Sequence, residues 1–394
     1  MLKPAIVAVG YNRPEGMKRL LNSIGQAKYD STDIALIVSI DESNKSDEVE
    51  KVAREFYWSY GEKIIRRFPE RQGLRRHIVQ CGDLSEKYGG VIILEDDLIV
   101  AEDYYMFVCR AHEKYSACNE VCGVSLYSYG CNVFTHYPFS ATPSISDVYL
   151  GQMVVTWGQS WTKEQWGLFK QWYLDHEDKL PNLNPIIPRD ISGWTRSWGR
   201  YFATYMSENN LSYVYPKIAR STCFSDFGEH NKTSIPLTFV QVPLMHGIPT
   251  EYCMDDVQFL ERFDSFYERI IDEQVVVSGI QGNHICVDIN NMKTSAEGKK
   301  YILSNEKLPF EKIASFGLTL KPIILNVIEN IPGDQIFLYR INSNDCIRLW
   351  KGRRPKYYSN LRRLKFEFND APWRVLIRYA PKEFVTRMRD KLIK

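Results

Sequence analysis

Several patterns that would assign this 394-residue chain to a common class are missing from its sequence. No run approaches the ~20 apolar residues that a membrane-spanning helix needs. The first residues, MLKPAIVAVG, lack the basic-then-apolar layout of a signal peptide. Nine cysteines occur without CxxC pairing, which suits a reducing compartment better than a disulfide framework. We therefore expect a cytoplasmic protein that neither spans a membrane nor depends on disulfides.

The two common glycine-rich phosphate loops are missing as well. The first predicted strand is not followed by GxGxxG, and no GxxxxGK[ST] occurs, so dinucleotide-binding and P-loop enzymes are disfavoured. Those motifs hold phosphates through backbone N–H groups. A phosphate-bearing ligand of this chain would instead be held through a metal ion.

What is present is a globular composition with an uneven distribution of charge. The 44% hydrophobic and 13% aromatic content excludes low-complexity disorder, and the length allows two or three domains. The net charge is +2, yet Cys346–Lys394 holds 15 basic and 4 acidic residues, a balance of +11, which leaves −9 for the rest. An acidic body with a basic tail indicates a partner surface.

Strand and helix patterns alternate over the first hundred residues. Short apolar runs predict strands at 5–10, 34–40, 63–68 and 91–94, and the segments between them predict helices. Strands separated by helices of this length imply right-handed crossovers and a mostly parallel sheet. The sequence therefore predicts an α/β fold.

Beyond residue 100 the pattern loosens into aromatic-rich sequence. A short connecting helix is predicted at 264–271, and strand-like runs over 275–341 predict a small β-rich unit. We expect three parts: a catalytic domain over 1–265, a small β-rich accessory domain over 266–345, and a basic aromatic tail over 346–394.

Acidic residues follow two of the predicted strands. Asp41 ends the second strand, and Glu95, Asp96 and Asp97 end the fourth, at the edge of a parallel sheet where ligands bind. Three successive carboxylates repel one another, so such a site is expected to bind a cation or sugar hydroxyls. A solvated acidic turn, or acids capping a helix that begins near Glu102, is the alternative.

Four segments in this order carry a resemblance to a known family. AIVAVGYNRPEGMKRLLNSI, SIDES, RQGLRRHIVQCG and GGVIILEDDLIVAEDYYMF resemble nucleotide-sugar glycosyltransferases of the GT-A fold, both bacterial family-2-like enzymes and animal N-acetylglucosaminyltransferase I around EDD. The match covers about residues 4–130 and continues weakly to about 250. It implies a Rossmann-like, mostly parallel sheet flanked by helices, and a divalent cofactor, Mn²⁺ or Mg²⁺.

The resemblance also implies roles for individual residues. Asp97 would be the direct metal ligand, and His230 a second ligand or a contact to the diphosphate, with His246 as a weaker alternative. Asp41 as a simple turn cap, Arg75 as a surface ion-pair partner and a structural His230 stay open as alternatives. The residues expected around the nucleotide-sugar are Val9, Tyr11, Arg13, Asp41, Gly73, Leu74, Arg75, Glu95 and Asp96.

The catalytic base is where the sequence departs from the family pattern. An inverting transferase needs a carboxylate to accept the acceptor's proton, and Gly199 stands where the family places an Asp beside a Trp. Asp190 is the first candidate, and Glu229 and Asp226 are the others. The gap leaves inversion or retention open, and it admits an inactive homologue.

The basic tail interleaves arginine and lysine with aromatic residues, as in RLWKGRRPKYY. This composition suits an anionic membrane surface, so attachment to the inner face of the membrane is one hypothesis. A solvated basic helix packed on the acidic body is the alternative. We expect no nucleic-acid partner, because no recognition motif occurs.

The function expected from these observations is metal-dependent transfer of a sugar from a UDP- or GDP-sugar to a cell-surface glycan. The acceptor would be lipopolysaccharide, capsule or a similar glycan, including a lipid-linked one. The transferred group would be a hexosyl or N-acetylhexosaminyl unit, and the mechanism inverting. A non-catalytic glycan-binding homologue and a sugar-phosphate nucleotidylyltransferase are the alternatives, the latter weakened because GYNRPEG is a poor match to that family's glycine-rich loop.

Overall fold

Strands and helices alternate from the start of the chain, as the sequence predicts. A computed structural model describes residues 2–154, 156–180, 186–224, 240–296 and 298–341. The first elements are β1 (Ala5–Gly10), α1 (Pro14–Gln26), β2 (Leu36–Ile40), α2 (Ser46–Glu55), β3 (Lys63–Arg67), α3 (Leu74–Gly82), α4 (Ser85–Tyr88), β4 (Gly90–Glu95), β5 (Leu98–Val100) and α5 (Tyr104–Tyr115).

Helix α1 shows how local sequence produces these elements. Pro14 occupies the first turn, where its missing N–H costs no helical hydrogen bond. Met17, Leu20, Leu21 and Ile24 form one buried face against the sheet, as the 3.6-residue period requires.

The middle of the chain completes the main sheet. Its elements are β6 (Val121–Ser125), β7 (Val148–Gly151), β8 (Gln159–Thr162), α6 (Lys163–Leu174), a 3-10 helix (Arg189–Gly193), α7 (Trp198–Glu208), β9 (Ser212–Pro216), β10 (Ser221–Cys223), a 3-10 helix (Val257–Phe259) and β11 (Arg262–Phe263). Trp161, Trp166 and Trp198 are buried, and the ring of Trp161 packs against the other two, so these tryptophans belong to the core.

Within the part of the chain that the structure describes, nine strands form one sheet in the order β11-β7-β9-β6-β8-β4-β1-β2-β3. Neighbours in the run β4-β1-β2-β3 are parallel, as are β6 with β9 and β7 with β11, whereas β8 is antiparallel to both β4 and β6, and β7 to β9. The predicted α/β class with a mostly parallel sheet flanked by helices is confirmed.

The helix predicted at 264–271 is wrong. The chain turns back there, because Oδ1 of Asp264 accepts hydrogen bonds from the N–H groups of Phe266 and Glu268. Tyr267 adopts a positive φ of 66°, which a helix cannot contain. An aspartate that bonds to nearby backbone in this way competes with helix formation.

Residues 276–340 are rich in strands, which confirms the β-rich character predicted there. The elements are β12 (Val276–Val277), β13 (Ile280–Gln281), a 3-10 helix (Gly282–His284), β14 (Ile285–Val287), β15 (Tyr301–Ser304), β16 (Glu311–Phe316), α8 (Leu325–Ile328) and β17 (Ile336–Arg340). Four of these strands form a second sheet in the order β14-β15-β17-β16, with apolar clusters of its own.

The basic tail over 346–394 lies outside the described residues. Among the residues that are described, no helix is both long and apolar enough to cross a membrane.

Candidate functional site

The parallel strands β1, β2 and β4 bring the predicted residues to one edge of the sheet. Val9 of β1 pairs in register with Ser39 of β2 and with Glu95 of β4. The segments that follow these strands therefore leave the sheet side by side. They contain Tyr11 and Arg13 after β1, Asp41 after β2, and Asp96 and Asp97 after β4.

Arg13 bridges two carboxylates of the acidic triplet, which we define as Glu95, Asp96 and Asp97. Its Nη2 contacts Oδ1 of Asp96, and its Nη1 donates to Oδ2 of Asp97 at 3.3 Å. Burial lowers the pKa of Arg13, but the charges of Asp96 and Asp97 outweigh it and raise the pKa above its ordinary value. The guanidinium is therefore a permanent positive charge between the two aspartates.

Asp96 sits deep against the start of α1. A Cβ added to Gly16 would lie 2.4 Å from the carbonyl oxygen of Asp96, so only glycine permits this approach. Burial raises the pKa of Asp96 to about 6. Its Oδ2 atom is buried without a hydrogen-bond partner among the described residues, which leaves one acceptor unsatisfied in a site of net negative charge.

Asp97 is the member of the triplet that faces outward, with 20% of its side chain exposed against 4% for Asp96. Its carbonyl oxygen accepts a hydrogen bond from the N–H of Phe224 at 2.8 Å, at the end of the antiparallel pair β5 and β10. The backbone of Asp97 is thus held while its carboxylate stays accessible to a ligand.

Glu95 completes the triplet at the last position of β4. Burial, followed by the charge of Asp97, raises the pKa of Glu95 to about 8. Placing three carboxylates beside one arginine therefore costs electrostatic free energy, because like charges repel one another and burial deprives them of water.

Asp41 organises the loop that leads into α3. Its carboxylate accepts hydrogen bonds from the N–H groups of Gln72 at 2.7 Å and Gly73 at 2.9 Å. Gly73 has φ of 76°, the left-handed region that favours glycine. Leu74 begins α3 and packs at the edge of the core. The place predicted for Asp41 beside the nucleotide-sugar stays a prediction.

Two more arginines lie around this edge. Arg75, on the first turn of α3, donates to the hydroxyl of Tyr201 on α7 at 2.6 Å. Arg71 lies over the ring of Tyr11 at 4.9 Å. The sequence analysis missed Arg71, although this residue is part of the RQG run that ends at Gly73. No sequence signal indicated Tyr201.

Below the site, a buried polar network joins β2, β3 and α3. The Ser39 hydroxyl lies 2.7 Å from Nε2 of His77 and accepts from Nη2 of Arg66 at 2.9 Å. Burial lowers the pKa of His77 to about 4, which keeps its ring neutral. Sequence analysis missed this network, because each member has an ordinary local context.

The candidates for the catalytic base are divided between described and undescribed parts of the chain. Asp190 lies in the 3-10 helix that precedes α7, and Gly199 lies in the first turn of α7. Asp226, Glu229 and His230 fall within 225–239, outside the described residues, so their roles stay predictions.

The remaining predicted residues have identified surroundings. His246 is 94% exposed, with Nδ1 3.4 Å from a carboxylate oxygen of Glu102. Val9 is buried in the core.

The triplet fits a divalent cation only as a site with few protein ligands. Among the described residues, no group of three or more His, Cys, Asp or Glu side chains could hold a metal ion. Mg²⁺ and similar ions are commonly held by one or two carboxylates, with phosphate oxygens and water completing the shell. The outward Asp97 carboxylate and the unsatisfied Oδ2 of Asp96 fit that arrangement.

Comparison with known proteins gives distant structural similarities alone. No known family and no curated protein matches the sequence. Solved structures that match include S. aureus TarS 1–349 in complex with UDP-GlcNAc (12% identity, TM-score 0.37, 59% of this chain and 61% of that chain). A second is the mannosyltransferase PcManGT from Pyrobaculum calidifontis in complex with GDP-Man and Mn²⁺ (12% identity, TM-score 0.31, 46% of this chain and 48% of that chain). A third is GalNAc-T7 with UDP, GalNAc and Mn²⁺ (13% identity, TM-score 0.40, 56% of this chain and 44% of that chain). This chain thus spans between 44% and 61% of the solved chains named here.

Proposed function

We propose that the chain transfers a sugar from a nucleoside-diphosphate donor, a UDP- or GDP-sugar, to a glycan acceptor. The observation that carries the proposal is the bridge from Arg13 to Asp96 and Asp97 at the carboxyl ends of β1 and β4. Ligands of open parallel sheets bind at this edge. Carboxylates for a cation and a guanidinium for phosphate oxygens are the groups that a charged diphosphate needs.

The donor would lie across the strand ends with its base toward Asp41 and its diphosphate toward Arg13. Tyr11, with Arg71 over its ring, provides an aromatic face beside the base. Arg75 is held by Tyr201 and adds a second guanidinium for phosphate oxygens. Asp96 would contact the ribose or the sugar.

Asp97 would hold the divalent cation, Mn²⁺ or Mg²⁺, with Asp96 beside it. When bound, the cation would act as a Lewis acid that offsets charge developing on the diphosphate. Arg13 supports the same step, since a positive charge near the leaving group stabilises the charge that forms there.

Transfer needs a carboxylate that accepts the proton of the acceptor hydroxyl. We assign this role to Asp190, with Glu229 as the alternative. The hydroxyl oxygen forms a bond to the anomeric carbon, the bond from that carbon to the diphosphate oxygen breaks with its electron pair, and the proton moves to the carboxylate. Direct displacement of this kind inverts the anomeric configuration.

The acceptor we propose is a cell-surface glycan, including a lipid-linked one, met at the inner face of a membrane. The support is the +11 balance of Cys346–Lys394, since each basic residue near an anionic surface contributes about 1 kcal/mol. Sedimentation with phosphatidylglycerol vesicles at low salt tests this part. Binding that is lost when the chain is truncated at Cys346 supports it, and no binding by the full chain contradicts it.

Donor consumption tests the main proposal. The purified chain is incubated with a panel of UDP- and GDP-sugars and Mn²⁺, and released nucleotide is measured. Asp97→Asn should lower turnover about 100-fold or more, since it removes several kcal/mol of charge stabilisation. Asp33→Asn is the matched control, because Asp33 is 92% exposed and pairs only loosely with Lys3.

The other outcomes identify the alternatives. Asp190→Asn should leave nucleotide binding intact and lower turnover. A wild-type chain that binds UDP or GDP without consuming any donor would be the non-catalytic homologue. Pyrophosphate released from a nucleoside triphosphate and a sugar 1-phosphate would indicate the nucleotidylyltransferase. No nucleotide binding at all would overturn the proposal.

A further inference from the structure

We propose that Arg13 is an exchangeable counter-ion of the acidic triplet, which releases Asp97 and turns to the donor's diphosphate when a divalent cation binds. This inference rests on the proposed function and goes beyond it. It states how the chain controls access of the cation to its own carboxylate.

The contacts of Arg13 place its guanidinium where a shared cation would lie. One nitrogen contacts Oδ1 of Asp96, and another donates to Oδ2 of Asp97 at 3.3 Å. A planar guanidinium presents its N–H groups as a rigid fork, which can serve two acceptors at once. A cation bound to Asp97 would therefore approach Arg13 closely, and the two positive charges would repel each other.

The two ends of the bridge differ, and this difference predicts which one opens. The Asp96 side chain is 4% exposed, whereas that of Asp97 is 20% exposed and its contact with Arg13 is long. The solvated, longer contact is the cheaper one to exchange. Arg13 would keep its contact with Asp96 and lose its hydrogen bond to Asp97.

The backbone around the bridge is held, so the exchange is confined to side chains. The carbonyl oxygen of Arg13 accepts from the N–H of Met17 at 3.0 Å, in the first turn of α1. The carbonyl oxygen of Asp97 accepts from Phe224. The side chains of Arg13 and Asp97 can therefore change rotamer while their backbone stays in place.

Cation and diphosphate should therefore bind cooperatively. Without nucleotide, a cation bound to Asp97 is repelled by the Arg13 guanidinium, because no phosphate oxygens are present to accept the N–H groups of Arg13. With nucleotide, the phosphate oxygens accept the N–H groups that Asp97 releases. By linkage, each ligand must raise the affinity of the other by the same factor.

The decisive experiment measures Mn²⁺ binding to the full chain without nucleotide, from the electron paramagnetic resonance signal of free Mn²⁺. Arg13→Met should bind Mn²⁺ about tenfold or more tightly than the wild type, because one close positive charge is gone. Arg110→Met, which removes an arginine that pairs with Glu113 on the surface, is the control for net charge and should match the wild type. Adding Asp97→Asn to Arg13→Met should abolish the gain.

A second variant distinguishes the loss of the Arg13 bridge from misfolding of Arg13→Met. Arg13→Lys keeps the charge but replaces the rigid planar fork with one compact ammonium on a flexible stem, so it should give a smaller gain. Equal or weaker Mn²⁺ binding by both Arg13 variants, with thermal unfolding near that of the wild type, would overturn the inference. So would an equal gain in Arg110→Met.

Nucleotide binding separates this inference from the proposed function. Calorimetric titration of UDP or GDP, with and without Mn²⁺, should show a larger coupling factor in the wild type than in Arg13→Met. If neither nucleotide binds the wild type, the proposed function fails, while the Mn²⁺ comparison still decides whether Arg13 competes for Asp97. If nucleotide binds with equal coupling in both proteins, the inference alone fails.

Discussion

The N–H of Gly73 donates to Oδ2 of Asp41 at 2.9 Å and so joins the end of β2 to the start of α3. The left-handed conformation of Gly73, with φ of 76°, aims this N–H at the carboxylate. Together with the N–H of Gln72, which the same carboxylate accepts at 2.7 Å, this bond helps to position α3, and with it Arg75, relative to the strand ends.

Gly73→Ala should destabilise the fold by about 1–3 kcal/mol, because φ of 76° with ψ of 155° is a backbone conformation essentially restricted to glycine. No atom lies within 4 Å of the added carbon, so no steric cost is expected. Nucleotide affinity should also fall, because the loop held by Asp41 would shift. Urea denaturation and calorimetric titration measure the two effects.

Gly279→Ala is the matched control, since Gly279 has φ of 81° and equally open surroundings in the turn between β12 and β13, away from the strand ends that form the site. It should lose similar stability and keep the wild-type affinity for nucleotide. Equal affinity losses in both variants would contradict the role given to Gly73.

Gly16→Ala should also destabilise the fold, because the added Cβ would lie 2.4 Å from the backbone oxygen of Asp96. Moving backbone to relieve such an overlap costs about 1–3 kcal/mol. Gly167→Ala in α6 should have the opposite sign, a gain of up to about 1 kcal/mol, since its surroundings are open and alanine favours helix. Unchanged thermal stability in Gly16→Ala would contradict the close contact between Gly16 of α1 and the backbone of Asp96.

Arg220→Met should cost about 3–5 kcal/mol, because it leaves the carboxylate of Asp103 buried without its counter-charge. The two side chains are 3% and 0% exposed and meet at 3.2 Å, and the ring of Phe107 lies under the guanidinium. The double variant Arg220→Met, Asp103→Leu should recover much of the loss. A double variant as unstable as Arg220→Met alone would contradict a buried-charge cause.

His112→Gln tests the pH dependence of stability. Nε2 of His112 lies 2.8 Å from the Ser160 hydroxyl, which itself donates to the carbonyl oxygen of Val91, so His112 donates through Nε2. Its Nδ1 is buried without a partner among the described residues, and burial lowers the pKa of His112 from 6.5 to about 3.

The unfolded chain therefore binds a proton at this residue below about pH 6.5 that the folded chain refuses until about pH 3. The free energy of unfolding should fall as the pH falls through this window, with His112 contributing up to about 1.4 kcal/mol per pH unit. His112→Gln should show a shallower slope between pH 6.5 and 4. An unchanged slope, measured by urea denaturation at several pH values, would contradict this account.

The first four predicted strands and the helix after β1 agree with the structure, because their signals are local. The apolar run at Ala5–Gly10 and the period of Met17, Leu20, Leu21 and Ile24 are readable without knowing what packs against them. The helix predicted at 264–271 is wrong because the hydrogen bonds that Oδ1 of Asp264 accepts from the N–H groups of Phe266 and Glu268 give no periodic signal in the sequence.

The sequence by itself determined the α/β class, the strand order along the chain and the acids that follow the strands, because each is written within a few neighbouring residues. Only the tertiary structure decided that Arg13 lies between Asp96 and Asp97, 83 and 84 residues away, and that Arg75 reaches Tyr201, 126 residues away. Such pairings depend on how crossovers place strand ends and helices in space, and residue spacing alone does not encode that placement.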